Sequence, residues 1–341
     1  YMRKMLNILY ITKPDAYLSR DGQDIVVSVN KEETCRIPIL NIEGIVTFGY
    51  PGASPGLMKL CNDNNVSLTF LSPQGKFIAR LQGPTKGNVL LRKQQYLISD
   101  DKQKALHISR LMIAGKIQNS RNILRRFIRD YGPNTDVEIA AKQLNLSKEK
   151  ALSAASIDDL RGEEGAAANT YFGVFNQLII AQKDGFNFNG RNRRPPRDPT
   201  NAMLSFAYTL LANECSTALE TVGLDPYVGM MHTLRPGRAS FALDIMEEMR
   251  AYLCDRLVLS LINRKQVQAK DFTSQGEDSI LMKDTCRKTL IGAWQQRKKE
   301  LITHPFLKEK IPVGLLPYAQ ALLMARYIRG DLNDYPVFLV Q

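Results

Sequence analysis

The chain of 341 residues has only three histidines, one tryptophan and no cysteine pair of the CxxC kind. Its five cysteines (Cys35, Cys61, Cys215, Cys254 and Cys286) are odd in number and widely spaced. That pattern argues against a disulfide framework and against a structural zinc site, and it fits reduced thiols in a cytosol. No stretch approaches the roughly 18 consecutive apolar residues that a membrane helix needs. The amino-terminal apolar run is short and lacks a small-residue cleavage site, so it does not read as a secretory signal. Acids are in deficit as well, with 34 Asp and Glu against 46 Lys and Arg and a net charge of +12. What is present, 44% hydrophobic and 23% charged residues, is the make-up of a globular protein rather than a disordered one. The expectation is a basic, soluble, cytoplasmic protein whose length calls for two domains.

The positive charge is unevenly placed. Arg92 to Asp130 carries ten Lys and Arg against three Asp, Lys183 to Arg197 five against one, and Lys283 to Lys310 eight against three. The first 91 residues hold no comparable cluster. A basic half joined to a balanced half suggests that one domain faces a phosphate backbone.

Hydrophobic periodicity divides the chain at the same place. Short β-branched and aromatic runs, "NILYIT", "DIVVSV", "IEGIVTF", "VSLTFL" and "KFIARLQ", alternate with Gly, Pro, Asn and Asp clusters. One helix interrupts them, with Ser54 as N-cap and Pro55 in its first turn. From about Leu91 the period becomes that of helices. The spacing predicts helices over His107 to Gly132, from the Ser156/Asp159 capping pattern onward, and from Asp198-Pro199 to Gly223. The fold class expected is α+β: a β-sandwich-like domain over residues 1–90, then a larger all-α domain over residues 91–341.

The chemistry concentrates in "MMHTLRPGRASFALDIMEEMRAYL", Met230 to Leu253. On a helix starting near Ser240, 100° per residue places Asp244, Glu247, Glu248 and Asp255 within one arc, opposite Ile245, Met249, Leu253 and Leu257. Exposed acids are usually a solvated face. The link "TLRPGR", however, is able to fold His232 back over the first turns of this helix. A second acidic site is "LRGEEGAAANTYF", where Glu163 and Glu164 lie between Gly162 and Gly165; small residues there permit close approach of a helix or ligand. A charged first turn favoured by the helix dipole would look the same. One imidazole and two or more carboxylates from separate helices suit Mg²⁺ or Mn²⁺. A cation between those acids and a nucleic acid would explain acids in so basic a protein. The loop "DGFNFNGRNRRPPRDP" stiffens its arginines with prolines. Arg191, Arg193, Arg194, Arg197, Arg235 and Arg238 are the candidate phosphate contacts, whereas Arg121, Arg125 and Arg129 form a stripe that a solvated helix face would also give. Tyr171 and Tyr208 are expected in the core rather than stacked on bases.

These segments, with "GRNRRPPRDPTNAMLSFAYTLLANEC", "VGLDPYVG" and "PVGLLPYAQALLMARYIRGDLNDYPVF", together resemble the CRISPR-associated integrase of spacer acquisition, CRISPR-associated protein one. The resemblance spans essentially the whole chain, and the wording around "GRNRRPP" and "RPGR" is most similar to the type I-C form. It implies metal ligands at Glu164, His232 and Glu247, with Asp244 a supporting acid whose contact with metal stays open. The family often has proline where this chain has Ala251. The resemblance further implies a homodimer, formed through the N-terminal domain, that works with a small CRISPR-associated partner, protein two of the system. The implied reaction captures short duplex DNA, the prespacer, and joins its 3′-hydroxyl ends to the CRISPR repeat in the prokaryotic cytoplasm. Two other readings share the residues: a metal-dependent DNase on branched DNA, and a non-catalytic DNA-binding architectural subunit. A zinc hydrolase fits poorly, since one histidine alone neighbours clustered acids.

Overall fold

Short alternating strands build the N-terminal part of the computed structural model, which describes residues 8–13, 15–49, 51–73, 77–81, 89–192, 195–274 and 279–340. The chain separates into two compact units, Tyr1–Lys86 and Gly87–Gln341. In the first, β1 (Ile8–Ile11), β5 (Gly44–Phe48), β7 (Ser67–Leu71) and β8 (Phe77–Leu81) form a mixed sheet in the order β1-β5-β7-β8, with β1, β5 and β7 parallel. A second four-stranded sheet runs β4-β3-β2-β6 through β4 (Glu32–Pro38), β3 (Asp24–Val29), β2 (Ala16–Asp21) and β6 (Gly52–Ala53). Strands β3 and β4 turn through Asn30 and Lys31, both at positive φ, the hairpin geometry that matches strand twist. Helix α1 (Pro55–Asp63) is capped by Ser54, whose hydroxyl accepts the Leu57 N–H at 3.2 Å. Leu18 and Ile25 from one sheet, Ile45 and Leu68 from the other, and Leu57 from α1 share one core.

The second unit is mainly helical: α2 (Val89–Asp100), α3 (Lys102–Tyr131), α4 (Thr135–Ser153), α5 (Ile157–Gly173), α6 (Pro199–Thr221), α7 (Ser240–Arg250), α8 (Arg256–Asn263), α9 (Asp284–Lys299) and α10 (Leu316–Arg329). It is not purely helical, because two small ribbons, β9 (Phe272–Ser274) with β10 (Ile280–Met282) and β11 (Leu301–Thr303) with β12 (Lys310–Pro312), are inserted around α9. Caps set the boundaries as local chemistry dictates. Asp101 accepts two N–H groups at the start of α3, Ser156 accepts the Asp159 N–H at 3.1 Å, and Asp198 accepts the Asn201 N–H at 2.7 Å. Among the described residues no helix is long and apolar enough to cross a membrane. All five cysteines are free thiols.

Helix α7 is the axis of this unit and packs against α3, α6 and α10. All of its residues but Leu243 are buried. Of the two readings of these acids, a solvated helix face is excluded: Asp244 is 1%, Glu247 4% and Glu248 0% exposed. The helix also does not stop at Arg250. It passes through one π-helical turn, Ala251–Asp255, into α8. The wider turn shifts the helical register, so Asp255 does not continue the arc that 100° steps would give. That turn begins at Ala251.

Candidate active site

Each acid of α7 and its extension has its own partners. Glu248 turns towards the carboxy-terminal segment, where it accepts the Phe338 N–H at 2.5 Å, the amide of Gln320 at 3.1 Å and the Tyr335 hydroxyl. Burial raises its carboxyl to about 7, against the pull of those donors. Asp255 accepts the hydroxyls of Tyr208 at 2.6 Å and Tyr171 at 3.1 Å, and burial raises its pKa too. Both tyrosines are buried, 9% and 3% exposed, so neither is placed to stack on a base.

Asp244 organises the histidine loop. Its Oδ2 accepts the N–H groups of Met230 at 2.6 Å and Met231 at 3.1 Å, and its Oδ1 accepts the His232 N–H at 3.0 Å. The same Oδ1 lies 2.5 Å from His232 Nδ1. A carboxylate only accepts, so Nδ1 carries the proton and Nε2 is the nitrogen left to bind. Four donors fill the lone-pair directions of Asp244, which leaves it a supporting acid rather than a ligand in this geometry. The loop is clamped from other sides as well. Buried Gln95 bonds the backbone of Asp225 and Val228, Ser99 donates to the Gly229 carbonyl, and Arg161 reaches the Met231 carbonyl at 2.6 Å. The link that follows turns at Arg235–Arg238, with the Arg238 N–H on the Arg235 carbonyl and Gly237 at φ 73°.

Glu247 faces a cluster of opposite charge. Arg250 Nη1 sits 2.6 Å and 2.8 Å from its two oxygens, and Lys116 Nζ is 2.8 Å from Oε2. Burial alone would raise this carboxyl, but Arg250, Lys116 and His232 together hold it well below the usual range. The same Lys116 ammonium bonds Glu164. Glu164 on α5 and Glu247 on α7 thus meet over one positive charge contributed by α3. Glu164 is 26% exposed at its side chain, and Gly162 and Gly165 lie on the exposed side of α5, turned away from it, where no described helix packs on them. Arg250 stacks 4.2 Å from the centre of the Tyr208 ring. A pocket lined by Lys116, Glu164, Tyr171, Tyr208, Arg250 and Asp255 adjoins the cluster.

No group of three His, Cys, Asp or Glu side chains is drawn together tightly enough to hold a metal as the side chains stand, among the described residues. The Lys116 ammonium is what lies between the two carboxylates. Their convergence on one cation, beside an imidazole whose Nδ1 is already engaged, is a donor set that fits a divalent ion.

The chain matches the description "CRISPR associated protein Cas1" over residues 9–296. It is 47% identical to "CRISPR-associated endonuclease Cas1 1" of Chlorobaculum tepidum over 341 residues, 99% of each chain. The chain belongs to the Cas1 family. Its fold is also that of a casposase bound to integration product, with a TM-score of 0.84 at 23% identity over 96% of this chain and 92% of that one. A Cas6-RT-Cas1–Cas2 complex shares the fold at TM-score 0.83 and 20% identity, where this chain covers 36% of the longer one. Membership agrees with a nuclease or integrase of CRISPR adaptation.

The arginines expected at phosphates divide. Arg235 is exposed, as is Arg197, while Arg238 is half-buried. Arg191 differs from the expectation. Its guanidinium bonds Asn201 at 2.5 Å and Ser205 at 3.0 Å and lies over the Tyr208 ring, so it braces α6 rather than presenting to solvent. Arg193 and Arg194 lie outside the described residues. Of the α3 stripe, Arg121 donates to the Ala141 carbonyl and braces α4. Lys116 and Arg250 were not singled out from sequence, although Lys116 carried a signal. It stands four residues from Met112 and from Ser120, a lone cation on the face that α3 buries.

Proposed function

We propose that this Cas1-family chain is a metal-dependent DNA nuclease and integrase that inserts short duplexes into a CRISPR array by 3′-hydroxyl transesterification. The observation that carries the reading is the meeting of Glu164 and Glu247 over one positive charge beside His232. Glu164, Glu247 and Nε2 of His232 would hold Mg²⁺ or Mn²⁺, and Asp244 would fix the imidazole without ligating. A divalent ion bound there would lower the pKa of a nucleophilic hydroxyl and stabilise charge on the phosphate under attack.

The chain's own residues do the rest. Arg250 keeps Glu247 ionised in a buried setting, and Glu164, a quarter exposed at its side chain, is the carboxylate a DNA strand would reach first. Attack by a DNA 3′-oxygen makes one P–O bond and breaks another, releasing a new 3′-hydroxyl, so the reaction conserves phosphodiesters and needs no ATP. With water as nucleophile the same arrangement hydrolyses. Arg193, Arg194, Arg197, Arg235 and Arg238 would contact phosphates, which positions DNA without reading sequence. The chain would act in the prokaryotic cytoplasm as a homodimer through its N-terminal unit, on double-stranded prespacer and repeat DNA, with a Cas2-type small partner. The likeness to a casposase on its integration product and to a Cas1–Cas2 assembly supports this. Burial of all the α7 acids weighs against a non-catalytic architectural subunit with a solvated acidic face.

The test incubates the protein and its small partner with short 3′-hydroxyl duplexes and a plasmid carrying leader and repeat, in Mn²⁺ or EDTA. A covalent duplex–plasmid product that requires Mn²⁺, Glu164, His232 and Glu247 is expected. Nicking without joining would favour a branched-DNA nuclease, and DNA binding with neither reaction would overturn the catalytic reading.

A further inference from the structure

The candidate centre already holds a cation where a divalent ion would sit. Lys116 is shared between Glu164 and Glu247, while Arg250 serves both Glu247 and the buried Asp255. A divalent cation brought to the two carboxylates in this largely desolvated place would meet the resident positive charge at short range unless that charge withdraws.

Lys116 and Arg250 are not equally able to move. Arg250 is 8% exposed, spans both oxygens of Glu247 through one nitrogen and is stacked on Tyr208. A planar guanidinium held in this way has no easy alternative position. Lys116 is different: a single ammonium on a flexible four-carbon stem, 13% exposed at its side chain, beside the adjoining pocket. Its Nζ lies between the two carboxylates, the position a shared metal ion would need.

We propose that Lys116 is the resident counter-cation of this centre, competing with the divalent ion for Glu164 and Glu247 and leaving them when the ion binds. The proposal rests on the metal-centre reading above and adds a residue that sets the centre's affinity. Lys116 is a positioning residue in this account: it draws the two carboxylates together and makes metal loading an exchange of one cation for another. The exchange is easier when DNA is present, because a phosphate offers the displaced ammonium a new partner. Metal and DNA therefore bind with positive coupling that passes through Lys116, and that coupling is reciprocal.

The experiment is calorimetric titration of Mn²⁺ into the full-length protein as wild type, Lys116→Met, Lys116→Arg and Glu247→Ala, with and without a short duplex lacking a reactive 3′-hydroxyl. Lys116→Met is expected to bind Mn²⁺ about tenfold more tightly than wild type without DNA, and to lose most of the tightening that DNA gives wild type. Lys116→Arg is expected to bind no more tightly than wild type, and Glu247→Ala to bind least. Lys116→Gln replaces the methionine variant if the latter does not fold, with the same expectation. Equal or weaker Mn²⁺ binding by the neutral Lys116 variants, with wild type binding normally, would overturn the exchange while leaving the metal centre standing. Failure of wild type and Lys116→Met alike to take up Mn²⁺ would overturn both.

Discussion

His232 Nδ1 and Asp244 Oδ1 are 2.5 Å apart, and the Asp244 carboxylate also holds three successive backbone N–H groups of the histidine loop. Ring orientation and tautomer therefore depend on this one side chain, which shares the holding of the loop with Gln95, Ser99 and Arg161. Asp244→Asn puts an NH₂ group among donors and removes the charge that favours the Nδ1–H tautomer. Loss of such a support costs metal sites roughly 10- to 100-fold in affinity or activity. Mn²⁺ affinity and strand transfer should both fall within that range while circular dichroism shows a folded protein. Wild-type behaviour of Asp244→Asn in both assays would refute the supporting role.

Glycine contacts give a paired stability prediction. A β-carbon at Gly229 would lie 2.6 Å from Asp244 Oδ2 and 2.9 Å from the Ser240 carbonyl carbon, whereas one at Gly162 would meet nothing within 4 Å. Gly229→Ala should therefore cost about 1–3 kcal/mol through forced backbone and side-chain shifts, and weaken Mn²⁺ binding as well. Gly162→Ala, in the body of α5, should gain up to about 1 kcal/mol from helix propensity. Urea unfolding curves decide the matter, and the same sign of change for both variants would show the packing argument to be wrong.

Much of this arrangement was legible in residue order, and the exceptions have physical causes. Strands with apolar alternation stood out, but β4, whose sequence "EETCRIP" is almost wholly exposed, carries no such pattern and reads as loop. The period of α7 fixed which acids lie near one another, yet not where they point. That depends on Tyr335 and Phe338, some 90 residues downstream, on Tyr171 and Tyr208, and on a π turn that no propensity announces. Charge composition suggested six arginines for phosphates without telling an exposed Arg235 from an Arg191 folded onto Asn201. Lys116 is a cation on the face that α3 buries, and its partners Glu164 and Glu247 are brought to it only by the packing of α5 and α7 on α3.

His304 gives a pH prediction with a definite sign. It is fully buried, its Nδ1 accepts the N–H groups of Phe306 and Leu307, and its Nε2 donates to Gln320 Oε1 at 2.9 Å. Burial lowers its pKa from 6.5, against the pull of Gln320, so the folded state keeps it neutral where the unfolded chain takes up a proton. This residue then has no effect on stability well above pH 6.5 and destabilises the fold as pH falls below that value. Asparagine at position 304 keeps an acceptor for the two backbone N–H groups but does not titrate. Melting temperatures from pH 7.5 to 5 should fall more steeply for wild type than for His304→Asn, and parallel curves would remove His304 as the cause.

Arg235 and Arg191 carry the same charge with opposite consequences. Arg235 is exposed on the turn following His232. Arg235→Ala should leave the melting temperature unchanged and weaken duplex binding about equally for all sequences. The slope of log affinity against log salt should shrink by roughly 0.9, the release expected for one phosphate contact. Arg191 is tied to Asn201, Ser205 and the Tyr208 ring, so Arg191→Ala removes bracing from α6 and lowers the melting temperature. Its salt slope should stay near the wild-type value, because the side chain makes no phosphate contact to lose. Fluorescence anisotropy of a labelled duplex across a salt series, read beside thermal melts of both variants, separates the two roles. A reduced slope for Arg191→Ala with an unchanged melt would return that arginine to the DNA-binding set, and an unchanged slope for Arg235→Ala would take Arg235 out of it.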